Sequence, residues 1–285
     1  MRITRFFLFI FVLTLLFITL SSEPQSSAAD NILTASQDAP TQTTANISFN
    51  VNATGTAINP LVLGTNLPAW LGPSRTENST FLNRTKATGT TILRIPGGSW
   101  SNAIDWYACE TGDQAKCWFT NWGLQPSDFI KFLRAANTEG MYTINMNGTS
   151  KEAAALVAFF NGSVNNNTVI GTDVNGRNWG KVSDWAQLRS NNGSPQPLYI
   201  KYWEIGNEIY GGKQGKDCAA WGWEDVWTCD GRQYVNGLGN KEGFIAFRNA
   251  MRAVDSSIMV GAVGVPDPSD WSNWGNEVIE EAGDV

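Results

Sequence analysis

Histidine is absent from the 285-residue chain. That absence removes Ser-His-Asp and Cys-His catalysis from within it, along with any metal site built on imidazole. Charge is sparse too. Asp, Glu, Lys and Arg make up 16% of the residues, the formal net charge is −6, and no Lys/Arg-rich run occurs. Nucleic acid or an anionic membrane, which must be held by positive charge, is therefore not expected as a partner. There is no P-loop, and Gly64-Thr65-Asn66-Leu67 lacks the G-x-G-x-x-G of a dinucleotide site. Long apolar runs are missing but for Phe6 to Leu20. That run follows a short basic start, Met1 to Arg5, and precedes Ser27-Ala28-Ala29, which puts small residues where a signal peptidase reads them. The order predicts a signal peptide over residues 1–29 and an exported protein. A retained N-terminal anchor is the alternative, although the run is short for a membrane span.

Ser21 to Ala45 is rich in Ser, Thr, Ala, Gln and Pro, and residues 30–45 read as a disordered linker. Residues 46–285 are then long enough for one substantial core. Cysteine is scarce: Cys109 and Cys117 lie close together, as do Cys218 and Cys229. Of the three possible pairings, the two local ones are simplest and would staple loops in an oxidising compartment. Their spacing, without histidine, argues against zinc. No metal is expected.

Tryptophan, in contrast, is abundant, with 13 residues. Several fall in Gly/Asn/Asp-rich segments: Trp100, Trp106, Trp118, Trp122, Trp221 and Trp223. Indole faces stack on the C–H surfaces of sugars, but they also fill cores, so number alone does not decide.

Apolar strand patterns alternate with helical ones. Leu61–Asn66, Thr91–Ile95, Met141–Met146, Leu198–Ile205 and Ile258–Val263 read as strands. Thr80–Thr88, Pro126–Glu139, Ser150–Phe160, Lys241–Val254 and Asp270–Ala282 read as helices, with Gly140 stopping the second. This alternation predicts an α/β fold with a parallel sheet covered by helices. Long segments after the strands (Pro96 to Gln125, Asn147 onward, Gly206 to Asn240) suit a (β/α)8 TIM barrel, whose chemistry sits at the C-terminal ends of its strands. About five β/α units are visible where eight are needed. The barrel therefore reads as incomplete, with a smaller complete α/β domain as the alternative.

Without histidine, carboxylates are the remaining acid–base groups, and glycoside hydrolysis is the leading chemistry for a pair of them. Glu208 lies just beyond a strand. Gly206 lets the backbone bend, Asn207 offers an amide to a sugar hydroxyl, and Tyr210 can supply an apolar wall. A strand-end glutamate can equally be a capping or ion-paired acid.

The segment YWEIGNEIYG (Tyr202 to Gly211) resembles the fourth-strand motif of the clan A glycoside hydrolases. ILRIPGGSWSNAIDW (Ile92 to Trp106) resembles the second-strand segment of the family 51 α-L-arabinofuranosidases. INPLVLGTN (Ile58 to Asn66) and MYTINMNGTSKEAAALVAFFNG (Met141 to Gly162) resemble that family's first strand, and its third strand with the following helix. The resemblance runs in order from Asn46 to the end. It implies a retaining glycoside hydrolase, cofactor-free, acting on plant-type poly- or oligosaccharide, with α-L-arabinofuranosides as the leading substrate. It implies Glu208 as general acid/base, Asn207 as the partner of the 2-hydroxyl, and Arg94 beneath the catalytic centre. The family's glutamate after the first strand is absent. Asn66 and Trp70 occupy that region, with Asn66 a possible substrate contact, and this departure leaves an endo-β-1,4-glucanase or xylanase of the same clan as an alternative. A non-catalytic carbohydrate-binding protein using the Trp-rich loops is another.

The resemblance places the nucleophile at the end of a seventh strand, expected beyond Val285. Glu204 is a poor substitute. On a regular strand its Cα would lie roughly 13 Å from that of Glu208, whereas a retaining pair needs carboxyls about 5 Å apart. Glu204 reads as a structural acid partnered by Arg94. Asp105, Glu110 and Glu224 read as solvated or capping acids.

Overall fold

The computed structural model describes residues 56–210, 224 and 226–285, together with isolated positions 47, 48, 50, 52 and 55. The signal peptide and linker expected over residues 1–45, as well as Cys218, Trp221 and Trp223, lie outside the described residues. One compact unit runs from Thr56 to Val285.

The first strand, β1 (Gly64–Asn66), follows a 3₁₀ turn at Pro60–Val62 and leads into a second at Ala69–Leu71. Then come α1 (Pro73–Thr76), α2 (Ser79–Ala87), β2 (Ile92–Ile95), a 3₁₀ turn at Ser99–Asn102, α3 (Trp106–Thr111), α4 (Pro126–Ala136) and β3 (Glu139–Ile144). The chain continues through α5 (Ser150–Asn161), α6 (Val182–Asn191), β4 (Tyr202–Ile205) and α7 (Gly231–Asn236). A small antiparallel hairpin, β5 (Gly237–Leu238) and β6 (Lys241–Glu242), precedes α8 (Phe244–Val254), β7 (Met259–Gly261) and α9 (Asp270–Ala282). The main sheet is wholly parallel, with neighbour order β1-β2-β3-β4-β7. Strands that neighbour in sequence order, joined by helices, form the wall of an incomplete (β/α) barrel.

The period-2 rule assigns the two faces of this wall. Leu93, Ile95, Tyr142, Ile144, Trp203 and Ile205 are buried in one core with Phe129, Phe132, Phe159, Phe160, Phe247 and Met251 of the helices. Tyr142, Phe160 and Trp203 meet there with ring centroids 5.4–6.0 Å apart. Each such side chain contributes roughly 1.5–3 kcal/mol by leaving water. The residues between them (Ile92, Arg94, Met141, Tyr202 and Glu204) face the inner side and stay only partly buried.

Local chemistry sets the helix starts. Asn78, Asp105, Thr149 and Asp230 accept hydrogen bonds from first-turn N–H groups of α2, α3, α5 and α7. Asp128 and Asp184 reach back to the N–H of Gln125 and Lys181 at the starts of α4 and α6. Helix α5 is Ala-rich, and its small side chains are buried where it packs on α6 and α8. Its C-terminal end is held by a residue that sequence reading missed. The fully buried Arg189 guanidinium donates to the carbonyls of Phe159, Phe160 and Gly162 at that end, and to those of Ser194 and Pro195. Burial lowers its pKa to about 10, so it stays charged at neutral pH.

Several sequence expectations need correcting. Helix α4 does not run to Glu139 but ends at Ala136. Asn137, with φ of 57°, ends it in the left-handed conformation, and Glu139 and Gly140 already belong to β3, paired with Ile92 and Leu93. The backbone gains ladder hydrogen bonds there that periodicity does not report. Lys241 and Glu242 belong to the β5–β6 hairpin and not to α8. Helices α3, α6 and α7 fall in segments read as loops, because they are short or weakly patterned. Helix α9 is interrupted in its first turn, where Trp271, Ser272 and Asn273 take φ of 53°, 61° and 68°.

Candidate active site at the end of strand β4

Strand β4 places Trp203 and Ile205 in the core and Glu204 on the inner face. The strand then stops. Gly206 adopts φ of 88°, and a Cβ added there would lie 2.6 Å from Ile209 Cδ1. Only glycine meets both demands. Glu208 follows in the left-handed region, with φ of 47°. For a non-glycine residue that costs about 1–2 kcal/mol, so surrounding contacts must impose it. The extended Glu204-to-Glu208 geometry expected from sequence therefore does not hold. The chain turns after Ile205.

What imposes the turn is a side-chain clamp. The Asn102 amide accepts from the Asn207 N–H at 3.0 Å and donates to the Asn207 carbonyl at 2.6 Å. It thereby pairs with that backbone as a neighbouring strand would. Beside it, the Gly206 N–H donates to the Ile144 carbonyl and the Tyr234 hydroxyl donates to the Ile205 carbonyl, each at 3.0 Å. Asn207 and Ile209 are buried on either side, and Glu208 between them is exposed. Its carboxylate is thus presented at the C-terminal end of the strands, where barrel chemistry takes place.

Beneath it runs a polar chain. Thr143 donates to Glu204 at 2.5 Å, and Arg94 forms an ion pair with the same oxygen through Nε. Arg94 Nη2 donates to Asn207 Oδ1 at 3.0 Å. The structure therefore pairs Glu204 with Arg94, as the sequence reading expected. Asn207 Nδ2 continues the chain, donating to Glu224 at 3.1 Å. Glu224 corrects its sequence reading. It is neither solvated nor a cap, but 4% exposed and held by Ser99, Asn102 and Asn207. Its Trp- and Asp-rich neighbourhood carries no periodic signal, so only the three-dimensional approach of the β2 and β4 loops reveals it. Asp105 does cap α3. Glu110 caps the start of α4 through Ser127, but burial raises its pKa despite those donors.

Tyr210 lies beside Glu208 and is hydrogen-bonded to it. Burial, then the Glu208 carboxylate, then the Glu224 charge raise the pKa of its hydroxyl, so it remains a donor. Its ring packs 4.8 Å from Trp271 and 6.3 Å from Trp274. Asn66 sits level with Arg94 in the β1–β2 register and lines an inner-face groove with Arg94, Ile92 and Met141. Trp70, 53% exposed, lines a separate groove with Phe81, Leu93 and Phe132, on the helix side of β1.

The tryptophans divide. Trp106 is core, 3% exposed among Phe159, Trp179 and Trp185, which corrects its candidacy as a loop platform. Trp100, Trp118 and Trp122 cluster with centroids 4.5–5.5 Å apart, and the last two are 60% and 46% exposed. The Cys109–Cys117 disulfide closes the adjoining loop. Cys229 is also disulfide-bonded, and its expected partner, Cys218, lies outside the described residues. No cluster of three His, Cys, Asp or Glu side chains able to hold a metal occurs among the described residues. No helix among them is long and apolar enough to cross a membrane.

The parallel (β/α) wall fits an incomplete TIM barrel, and comparisons with known proteins point to the same fold. No family model matches the chain. In sequence it is 29% identical over 140 residues to a probable α-L-arabinofuranosidase C of Aspergillus fumigatus, covering 46% of this chain and 24% of the relative. Among solved structures, the arabinose complex of an α-L-arabinofuranosidase from Thermotoga maritima aligns with a TM-score of 0.50 at 27% identity. That alignment covers 72% of this chain and 36% of that one. A family 51 α-L-arabinofuranosidase from Bifidobacterium longum shares the fold with a TM-score of 0.59 at 21% identity, over 82% of this chain and 44% of that one. The chain thus spans about a quarter of the length of the curated relative. In sequence and in fold the chain is similar to α-L-arabinofuranosidases, which supports a glycoside hydrolase relationship of the clan A kind.

Proposed function

We propose that this chain supplies the acid/base half of an exported, retaining glycoside hydrolase that removes α-L-arabinofuranosyl groups from plant-type polysaccharide. The observation that carries the reading is the placement of Glu208. It is exposed at the end of β4, fixed in a left-handed turn by the Asn102 clamp, and adjacent to an Asn207 held by Arg94. In this reading Glu208 protonates the leaving oxygen, then deprotonates the water that releases the sugar. Asn207 contacts the 2-hydroxyl, and Asn66 lies within the inner groove where sugar could enter. Arg94 steadies the carboxylate of a nucleophile supplied from beyond the described residues. No metal or organic cofactor is required by this chemistry. Export follows from the signal-like N-terminus.

The test is Glu208→Gln in the full-length protein, assayed on aryl α-L-arabinofuranosides. Removing a general acid costs roughly 10²–10⁴-fold, and substrates with poor leaving groups should lose most. Full activity in that variant would defeat the assignment. The exposed Trp118–Trp122 cluster favours a second reading, an endo-β-1,4-glucanase or xylanase with a polymer-binding surface. Release of xylo- or cello-oligosaccharides without cleavage of arabinosides would select it. Sugar binding with no Glu208-dependent turnover would instead mark a carbohydrate-binding protein.

A further inference from the structure

Glu224 has no part in the reading above. Its surroundings are nonetheless specific. Three neutral donors converge on its two oxygens: Ser99 Oγ and Asn207 Nδ2 on one, and Asn102 Nδ2 at 2.8 Å on the other. With 4% exposure, its desolvation is offset by these contacts. They join the turn after β2 to the end of β4.

The chemistry of the partners fixes every orientation in this cluster. Arg94 can only donate, so the Asn207 atom facing it must be oxygen. The Asn207 nitrogen then faces Glu224. Asn102 is fixed in the same way, because it must accept from one backbone group of Asn207 and donate to the other. Its nitrogen therefore also faces Glu224. A glutamine at position 224 has one acceptor oxygen and one amide nitrogen. Whichever way it turned, its NH₂ would meet a fixed NH₂ of Asn102 or Asn207. Asn102 cannot flip without breaking its two bonds to the Asn207 backbone, nor Asn207 without losing the bond from Arg94. Only a carboxylate accepts on both sides.

We propose that Glu224 is a positioning residue. It locks the Asn207 amide so that its second N–H serves as the donor to the sugar hydroxyl beside the scissile bond. It also braces the Asn102 clamp that sets the Glu208 turn. This role rests on the glycoside hydrolase reading for its consequence in turnover, though not for its geometry. The consequence is discrimination: a site with a fixed donor loses a bond to any analogue that lacks the hydroxyl.

The experiment compares wild-type full-length protein with Glu224→Gln. The readout is the ratio of kcat/KM for the aryl glycoside it hydrolyses best to that for the 2-deoxy analogue. The ratio is expected to fall at least tenfold in the variant. An unchanged ratio, with both rates lowered together, would overturn the proposal and leave Glu224 merely structural. Glu224→Asp, which keeps the charge but withdraws it from Asn207, should also lower the ratio and serves if the Gln variant does not fold. A second readout needs no turnover. The Asn207 side-chain NH₂ resonances, identified by their loss in Asn207→Ser, should shift on Glu224→Gln, and constancy would overturn the proposal. If the wild-type protein hydrolyses no glycoside, the functional reading fails and the resonance shift alone decides the role of Glu224.

Discussion

Glu152 gives the sharpest test of the electrostatics next to the site. It stands in the first turn of α5, where its N–H donates to Thr149 Oγ1 at 3.2 Å and its carboxylate accepts from the Thr149 backbone. Its environment is otherwise poor for a charge. It borders a small cavity lined by Ile104, Trp106, Tyr142 and Ile144, and a Cβ on Gly148 would lie 2.6 Å from Oε2. Burial raises its pKa from the ordinary 4.5 to about 7. The negative charges of Asp105 and Asp173 add to the rise, while Thr149 and Arg177 oppose it. A carboxyl whose folded pKa is raised holds its proton in the native state after the unfolded chain has lost it. Stability therefore falls as pH rises from the unfolded value through the folded one. Between pH 5 and pH 8 the loss attributable to this group is about 2.5 kcal/mol. Glu152→Gln removes the titration. The difference in thermal midpoint between variant and wild type should thus grow, in the variant's favour, by roughly 5–10 °C over that interval. Any constant offset from the altered cap cancels, as does the titration of Glu110, which both proteins share. Thermal melts at half-unit steps of pH measure this directly. Parallel curves for the two proteins would refute the reasoning.

Arg189→Met should destabilise by about 1–3 kcal/mol for each buried carbonyl at the end of α5 that it leaves unpaired, while Arg189→Lys should recover only part of the loss. Denaturant titration distinguishes the three proteins. Replacing Cys109 and Cys117 by serine opens a short loop and should cost about 2–3 kcal/mol in the chain-entropy estimate. Melting under reducing and oxidising conditions checks it. Arg94→Ala leaves the partly buried Glu204 without its cation and frees Asn207 Oδ1. The expected loss is about 1–3 kcal/mol in stability together with reduced turnover, read by melting and kinetics on the same sample.

The local grammar of this chain is legible without coordinates. Alternating strand and helix patterns, separated by Gly, Pro and capping residues, define an α/β fold. Four of the five main-sheet strands fall within their expected segments, and β3 starts two residues early, at Glu139. Periodicity works here because one face of each strand is buried under helices and the other is not. It fails where tertiary contacts overrule it, as at Glu139, drawn into β3 by pairing with Ile92, and in the short helix α3. Among the site residues, the place of Asn207 and Glu208 just beyond a strand is visible from their motif, but the left-handed turn that carries Glu208 is not, since the sequence reading kept the chain extended to that residue. The pairing of Glu204 with Arg94 is also readable, since strand alternation puts both on one face.

What sequence does not determine is which distant groups meet. Trp106 and Trp118 occupy similar local sequence, yet one is core and the other surface, because only one lies over α5 and α6. Asp105, Glu110 and Glu224 look alike as loop acids. Whether each is solvated, capping or buried depends on donors supplied by other segments: Ser127 for one, and Ser99, Asn102 and Asn207 for another. The sequence alone decided the order of the main-sheet strands and the place of Glu208 just beyond β4, since both follow from local backbone and packing preferences. The tertiary structure alone decided how the Asn207 amide is turned and what charge lies behind it. Those depend on hydrogen bonds between residues far apart in the chain, and no local pattern encodes them.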